Sequence, residues 1–424
     1  MNPPELSPGE RKEALEELAR AERDSRREGA GRLRRLHIAL GRPPVKRLVT
    51  GVVEARSGLE RYGRGVRDVH GVSLRTQARS QWALHVRRRF TSEEYYLYQL
   101  YLRDRRRLAE SFIPRRRTLV LLARLYELTE PDLDALRDKR SCTRRLREAG
   151  LPTPPILAVF EDGSPPPAEL PEIDLFAKPA TMWGGLGAAA WTLAGDGHYL
   201  DGEGRRWTAP EVGAELERRS RTEAIVLQER LSNHPGIAPL TNGALSCARL
   251  VTCRRPGGGV DCLPATFRLP WGSAVVDNFA RGGLKVPVDL ESGEITGPAV
   301  GLDERCGIRT TDRHPDTQAA FIGFRLPCWG EAVELALRAA EVFPDVPFVG
   351  WDVAFLEDGP VLIEGNVSWN ADGTQIPHGL GLGDTQFVAY YLHHLRQAQR
   401  GGLGVRASGT PHSGPSRTRS RGGS

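Results

Sequence analysis

The chain has 424 residues, 39% of them hydrophobic and 26% charged, with a formal net charge of +6; that length allows two or three domains, and that balance excludes a fibrous or wholly disordered chain. Its longest apolar runs, such as residues 118–123, are far too short to span a bilayer, and the first 40 residues read as charged helix without an apolar leader. The six cysteines are scattered, with no C-x-x-C pair, which argues against a disulfide framework or zinc site and for a reducing, cytoplasmic setting.

Leu15, Leu18, Leu33 and Leu36 recur among charges and predict a helix over 10–38, interrupted at Gly29 and Gly31 and ended by Pro43-Pro44. Residues 45–90 are basic and weakly patterned. Thr91 and Glu94 have capping-box spacing ahead of an aromatic stripe, which reads as core. A helix is expected over 139–149, with Asp138 as N-cap and Gly150 as stop. Short apolar runs at 156–160, 175–178, 224–228, 246–253, 348–355 and 361–364 predict strands. Helices are expected near 210–219, 329–342 and 383–398. Residues 401–424 lack acidic residues and any core pattern, so they read as a disordered tail. The pattern is that of an α+β protein.

The stretch FVGWDVAFLEDGPVLIEGN, residues 348–366, carries the most information. A hairpin centred on Asp358 sets Asp352 opposite Glu364, with Asn366 on the same face and Val349, Trp351, Val353 and Phe355 on the core face. Directly opposed like charges are destabilising, so a cation is expected between them. Two carboxylates and an amide oxygen are hard ligands that suit Mg²⁺ held against substrate phosphates.

Lys178 ends an apolar run and is followed by Gly184, Gly185 and Gly187, whose backbone can approach phosphate oxygens. Lys139 in a first helical turn opposes the helix dipole, which hints at another purpose. The run at 224–235 reads as a strand leaving into a hinge whose backbone can meet an adenine edge, with Glu229 placed for ribose hydroxyls and His234 in the loop. Arg249, in a strand between apolar neighbours, calls for a charged partner such as phosphate or an acidic substrate.

These motifs, in this order, resemble the ATP-grasp superfamily, and within it the sugar-transfer-associated group related to alpha-L-glutamate ligases. The resemblance runs over about residues 88–397, through FTSEEYYLYQL, DKRSCTRRLREAGLPTPP, LFAKPA, LQERLSNHP, ARLVT, VDNFARGGL and GWDVAF…VLIEGN. It implies two α+β lobes holding ATP between them, beside a basic, largely helical region at 1–87. The lobes would be an N-terminal and lid part at 88–230 and a metal-binding part at 231–400. It also implies that Lys139 and Lys178 meet the ATP phosphates, and that Gln228 and Glu229 make the hinge and ribose contacts. Asp352, Glu364 and Asn366 would then hold two Mg²⁺ ions, with Mn²⁺ as a substitute, and Arg249 and Asn278 would lie on the phosphate side of the cleft. Trp183 and Leu186 interrupt the glycine loop, a departure from the family's usual form.

The expected activity is a Mg-ATP-dependent ligation of a carboxylate to an amine or other nucleophile through an acyl phosphate, on sugar-linked, peptide or amino-acid substrates. No nucleophilic Ser or Cys is needed. Replacing Asp352 or Glu364 by the amide should remove turnover and leave the fold intact. Two alternatives are an ATP-grasp kinase acting on a hydroxyl and a non-enzymatic polyanion-binding protein. The expected partners are small molecules, rather than nucleic acid or a membrane.

Overall fold

The structure is a computed structural model that describes residues 7–29, 43–163, 169–182, 186–272, 279 and 282–407. Two antiparallel sheets organise it. The smaller has the order β1-β6-β2-β3-β4-β5, formed by Ile156–Phe160, Ile225–Glu229, Leu175–Pro179, Ala189–Leu193, Tyr199–Asp201 and Arg206–Trp207. Phe160, Leu175, Ala177, Trp191 and Leu227 form its core, closed by Val212 and Leu216 of α10 (Ala209–Ser220).

The larger sheet has the order β12-β11-β10-β9-β7-β13-β14, with β8 (Val260–Cys262) also paired to β7. Its strands are Gly307–Thr311, Ala299–Asp303, Leu284–Val288, Ala265–Leu269, Cys247–Arg254, Phe348–Leu356 and Gly359–Asn366. Register separates its faces. Val353, Ala248, Phe267 and Val286 form one cross-strand row, and each is fully buried. That apolar face packs on α11 (Trp329–Val342), whose Trp329 stacks on Phe355 at 6.2 Å. The opposite face carries the row Asp352, Arg249 and Thr266, and beside it the row Ala354, Cys247, Arg268 and Lys285.

The strands expected from sequence are β1, β2, β6, β7, β13 and β14, each within two residues of the expected bounds. The helix expected over 139–149 is α9 (Lys139–Glu148); Asp138 caps it by accepting the Arg140 backbone N–H. The first helix, α1 (Pro8–Gly29), covers part of the span expected over 10–38. Three local readings change. Pro43 opens a helix, α2 (Pro43–Gly58), because proline suits a first turn whose N–H has no intrahelical partner. The weakly patterned stretch after it is helical, as α2, α3 (Arg64–His70) and α4 (Leu74–Arg88). The last helix, α13, spans Phe387–Ala407, so residues 401–407 belong to it and 408–424 lie outside the described residues.

Thr91 and Glu94 form the expected capping box on α5 (Ser92–Leu97). The aromatic stripe behind it is core: Tyr62, Tyr95, Tyr96, Tyr98 and Tyr101 cluster with Val300, Ile308 and Ile376. The N-terminal helices thus share a core with β11, β12 and α12 (Asp372–His378). Residue 87, the expected boundary, falls inside α4. Among the described residues no helix is long and apolar enough to cross a membrane.

Candidate active site

The hairpin of β13 and β14 sets Asp352 opposite Glu364, as the sequence implies, but by another route. The turn is the two-residue pair Glu357-Asp358, with Leu356 opposite Gly359. Gly359 takes φ +120°, a conformation that L side chains rarely adopt. Continued without interruption, that register would put Ile363 opposite Asp352. A bulge between Asp352 and Val353 shifts it by one residue and brings Glu364 across instead.

The expected cation is present, and the chain itself supplies it. Arg249, the cross-strand partner of Asp352 on β7, donates from Nε to Oδ1 at 2.6 Å and from Nη2 to Oδ2 at 3.2 Å. Arg268, one strand further on β9, places Nη2 at 2.8 Å from Oδ2. Burial of Asp352, which is 3% exposed, would raise its carboxyl, but the two guanidinium charges outweigh this and hold it at about 2. Gly350 lets the pair close: a Cβ there would sit 2.7 Å from Trp369 Cβ and 3.4 Å from Arg249 Cδ.

Glu364 is held more loosely. Asn366 donates from Nδ2 to its Oε1 at 3.2 Å, and Lys139 Nζ lies 4.0 Å from Oε2. Helix α9 links the two sheets, since the Lys139 backbone N–H donates to Ala180 O at 3.0 Å just beyond β2, while its ammonium donates to Met182 O. Lys178, in the penultimate position of β2, is 9% exposed. Among the described residues its ammonium has no hydrogen-bond or ion-pair partner. Burial lowers its pKa, and the nearby charge of Glu364 opposes that shift.

The other expected positions vary in placement. Gln228 is buried and donates to Pro154 O at 3.2 Å, so its side chain ties β6 to the chain entering β1. Glu229 follows it at the exposed end of β6. Gly187 lies in the turn before β3 with φ +71°, packed on Pro179. Gly184, Gly185 and Asn278 lie outside the described residues. His234 is a loop residue, accepting the Gly236 N–H at 2.9 Å. Arg268 was not singled out from the sequence. Its signal is the one that marked Arg249, an arginine inside an apolar strand, here ATFRL at 265–269.

A metal fits this donor set. Asp352, Glu364 and Asn366 share a face and offer hard oxygens, with phosphate oxygens and water left to complete an octahedron. Among the described residues no group of three or more His, Cys, Asp or Glu side chains gathers to hold an ion unaided. Two surface hollows, of about 290 Å³ along α9 and about 390 Å³ between α11 and the hairpin turn, include none of these charged residues.

Comparison with known proteins agrees with this architecture. Residues 126–388 match the family described as sugar-transfer associated ATP-grasp. The chain belongs to that family, and its fold is the α+β ATP-grasp fold. No curated protein matches it. Among solved structures it is similar to D-alanine–D-alanine ligase from Bacillus anthracis complexed with ATP, at 13% identity over 64% of this chain and 67% of that one, TM-score 0.35. It is similar also to N5-carboxyaminoimidazole synthetase from Staphylococcus aureus complexed with ADP, at 10% identity over 64% and 57%, TM-score 0.37. A third is an L-amino acid ligase from Bacillus licheniformis, at 13% identity over 61% and 48%, TM-score 0.33. The chain spans about half the length of several such structures, 45% and 48% in two of them.

Proposed function

We propose that this protein is a Mg-ATP-dependent ligase that activates a carboxylate as an acyl phosphate and passes the acyl group to an amine or other nucleophile. The observation that carries this reading is the Lys178 ammonium, buried at the end of β2 with no partner among the described residues and close enough to Glu364 to feel its charge. A buried charge without a partner is costly, so the site is incomplete without an anion. Cations surround the two carboxylates: Lys139 lies near Glu364, and Arg249 and Arg268 pair with Asp352.

In this reading Lys139 and Lys178 bind phosphate oxygens, and Asp352, Glu364 and Asn366 hold one or two Mg²⁺ ions. The ion supplies charge neutralisation at the transferring phosphoryl group. The substrate carboxylate oxygen attacks the γ-phosphorus and ADP leaves. The nucleophile then attacks the acyl carbon, phosphate leaves, and the nucleophile's proton goes to solvent or phosphate. A carboxylate is ionised at neutral pH and needs no general base to attack. By the family resemblance, Arg249 and Asn278 are the residues proposed to act on the phosphate side. Acids that are sugar-linked, peptide or amino-acid in nature are the proposed substrates, and residues 88–400 the proposed catalytic unit. Six cysteines that form no disulfide fit a cytoplasmic setting.

The test is a screen of candidate acids with Mg-ATP and hydroxylamine. A hydroxamate should form in proportion to ADP. A substrate that drives ADP formation while the γ-phosphoryl label stays on a stable phosphoester would make the protein a kinase instead.

A further inference from the structure

Asp352 does not stand open to a metal. Three guanidinium contacts already occupy its two oxygens, at 2.6, 3.2 and 2.8 Å. A carboxylate offers about four lone-pair directions, so little of this one remains for a further ligand. Two partly buried positive charges beside it also repel an incoming divalent ion.

The two arginines are not equivalent. Arg249 is the direct cross-strand partner of Asp352 and grips both oxygens. Arg268 reaches Oδ2 from one strand further, and its own cross-strand partner on β10 is Lys285, another cation. Arg268 is therefore the arginine whose contact can pass to a new anion without opening the cross-strand pair of Arg249 and Asp352. Guanidinium and phosphate oxygens form such charge-assisted pairs readily.

We propose that Arg268 is a positioning residue that makes metal binding at Asp352 depend on nucleotide. It keeps the Asp352 oxygens occupied until phosphate oxygens arrive, then transfers its contact to them and frees the carboxylate. The assignment rests on the ATP-dependent reading above and adds an order of events to it: nucleotide brings the metal, and metal alone binds weakly.

Manganese titration of the full chain, followed by loss of the free-ion paramagnetic signal, tests this with and without ADP. The wild-type protein should bind Mn²⁺ weakly alone and tightly with ADP. Arg268→Gln should bind Mn²⁺ alone about ten-fold more tightly than wild type, the factor that one charge-assisted contact is worth. Arg268→Lys, which keeps the charge, should behave as wild type. Arg268→Met serves as a second neutral variant should the glutamine protein melt early, and thermal midpoints identify which variants are folded. Unchanged or weaker metal-alone binding in a folded neutral variant overturns the assignment, while Mn²⁺-ADP binding by wild type leaves the nucleotide reading standing. No Mn²⁺-ADP binding by the wild-type protein overturns both.

Discussion

Asp352 and Lys178 are both buried ionisable groups, one on the strand next to the edge of the large sheet and one near the end of a strand in the small sheet, and they are treated in opposite ways. Asp352 is enclosed by Arg249 and Arg268, so its charge is balanced within the chain. Lys178 is given no hydrogen-bond or ion-pair partner among the described residues, and the field of Glu364 is the largest influence opposing its burial. The difference separates two tasks that both look like ligand binding in the sequence. The large sheet carries a charge network that contributes to its own stability. The small sheet holds a charge that the chain leaves for something else.

Breaking the balanced side should have the largest effect. Asp352→Asn leaves two partly buried guanidinium groups facing a buried amide. It should lower the unfolding free energy by about 3–5 kcal/mol, the cost of removing one partner from a buried ion pair. This revises the expectation of an intact fold, since the arginine clamp gives Asp352 a structural role that hairpin geometry alone did not reveal. Urea unfolding measures it, and a loss below about 1 kcal/mol would mean that the arginines find water as readily as they find Asp352. The acid side follows from the same carboxyl, depressed to about 2. Between there and the unfolded value of about 3.9 the unfolded chain binds more protons. This contribution is therefore present above about pH 4 and lost as pH falls towards 2.

The unbalanced side should respond in the opposite direction. Lys178→Met removes a buried charge and should raise stability by about 1 kcal/mol. The same change should weaken Mg-ATP binding about 100-fold, the worth of a strong charge-assisted phosphate contact. Calorimetric titration and thermal denaturation on one protein read both signs, and a destabilised variant with normal ATP affinity would make Lys178 structural. The pH dependence has its own sign. With the folded pKa lowered, the unfolded chain holds more protons between that value and about 10.4. Wild-type stability should gain from this group as pH rises through that window, and the gain should vanish in the methionine variant.

The strands that carry both residues were legible in the sequence, and the parts that were not have physical reasons. Asp352 and Glu364 could be paired because alternation and a turn signal constrain a hairpin strongly. The bulge could not be seen, because no residue type announces an extra residue in a ladder. The helices between residues 43 and 88 escaped because their inner faces are partly polar. Gln77 is fully buried, donates to Gly63 O and Val72 O, and accepts from Tyr96 Oη at 2.9 Å. Gln81 is buried too and donates to Glu54 O at 2.8 Å. Hydrophobic periodicity cannot register a core side chain whose burial depends on hydrogen bonds that only the fold supplies. Arg268 shows the converse: its signal was present, yet an arginine in a strand has no visible partner until the register is known.

The smallest expected effect separates two neighbours at the end of β6. The sequence pairs Gln228 and Glu229 as nucleotide contacts, whereas the structure gives them different surroundings. Gln228 is 3% exposed and spends its amide on Pro154 O. Glu229 is exposed, with its backbone opposite Leu175. Gln228→Ala should therefore cost about 0.5–1.5 kcal/mol of stability, the worth of one hydrogen bond, and leave the KM for ATP unchanged. Glu229→Gln should leave stability unchanged and raise that KM by a few-fold, because it keeps the side chain's reach and weakens its acceptor towards a ribose hydroxyl. Thermal midpoints and ATP saturation curves on the two proteins decide the matter. Should Gln228→Ala raise the KM while Glu229→Gln does not, the ribose contact moves to the buried residue, and the bond to Pro154 becomes one that nucleotide must break on entry.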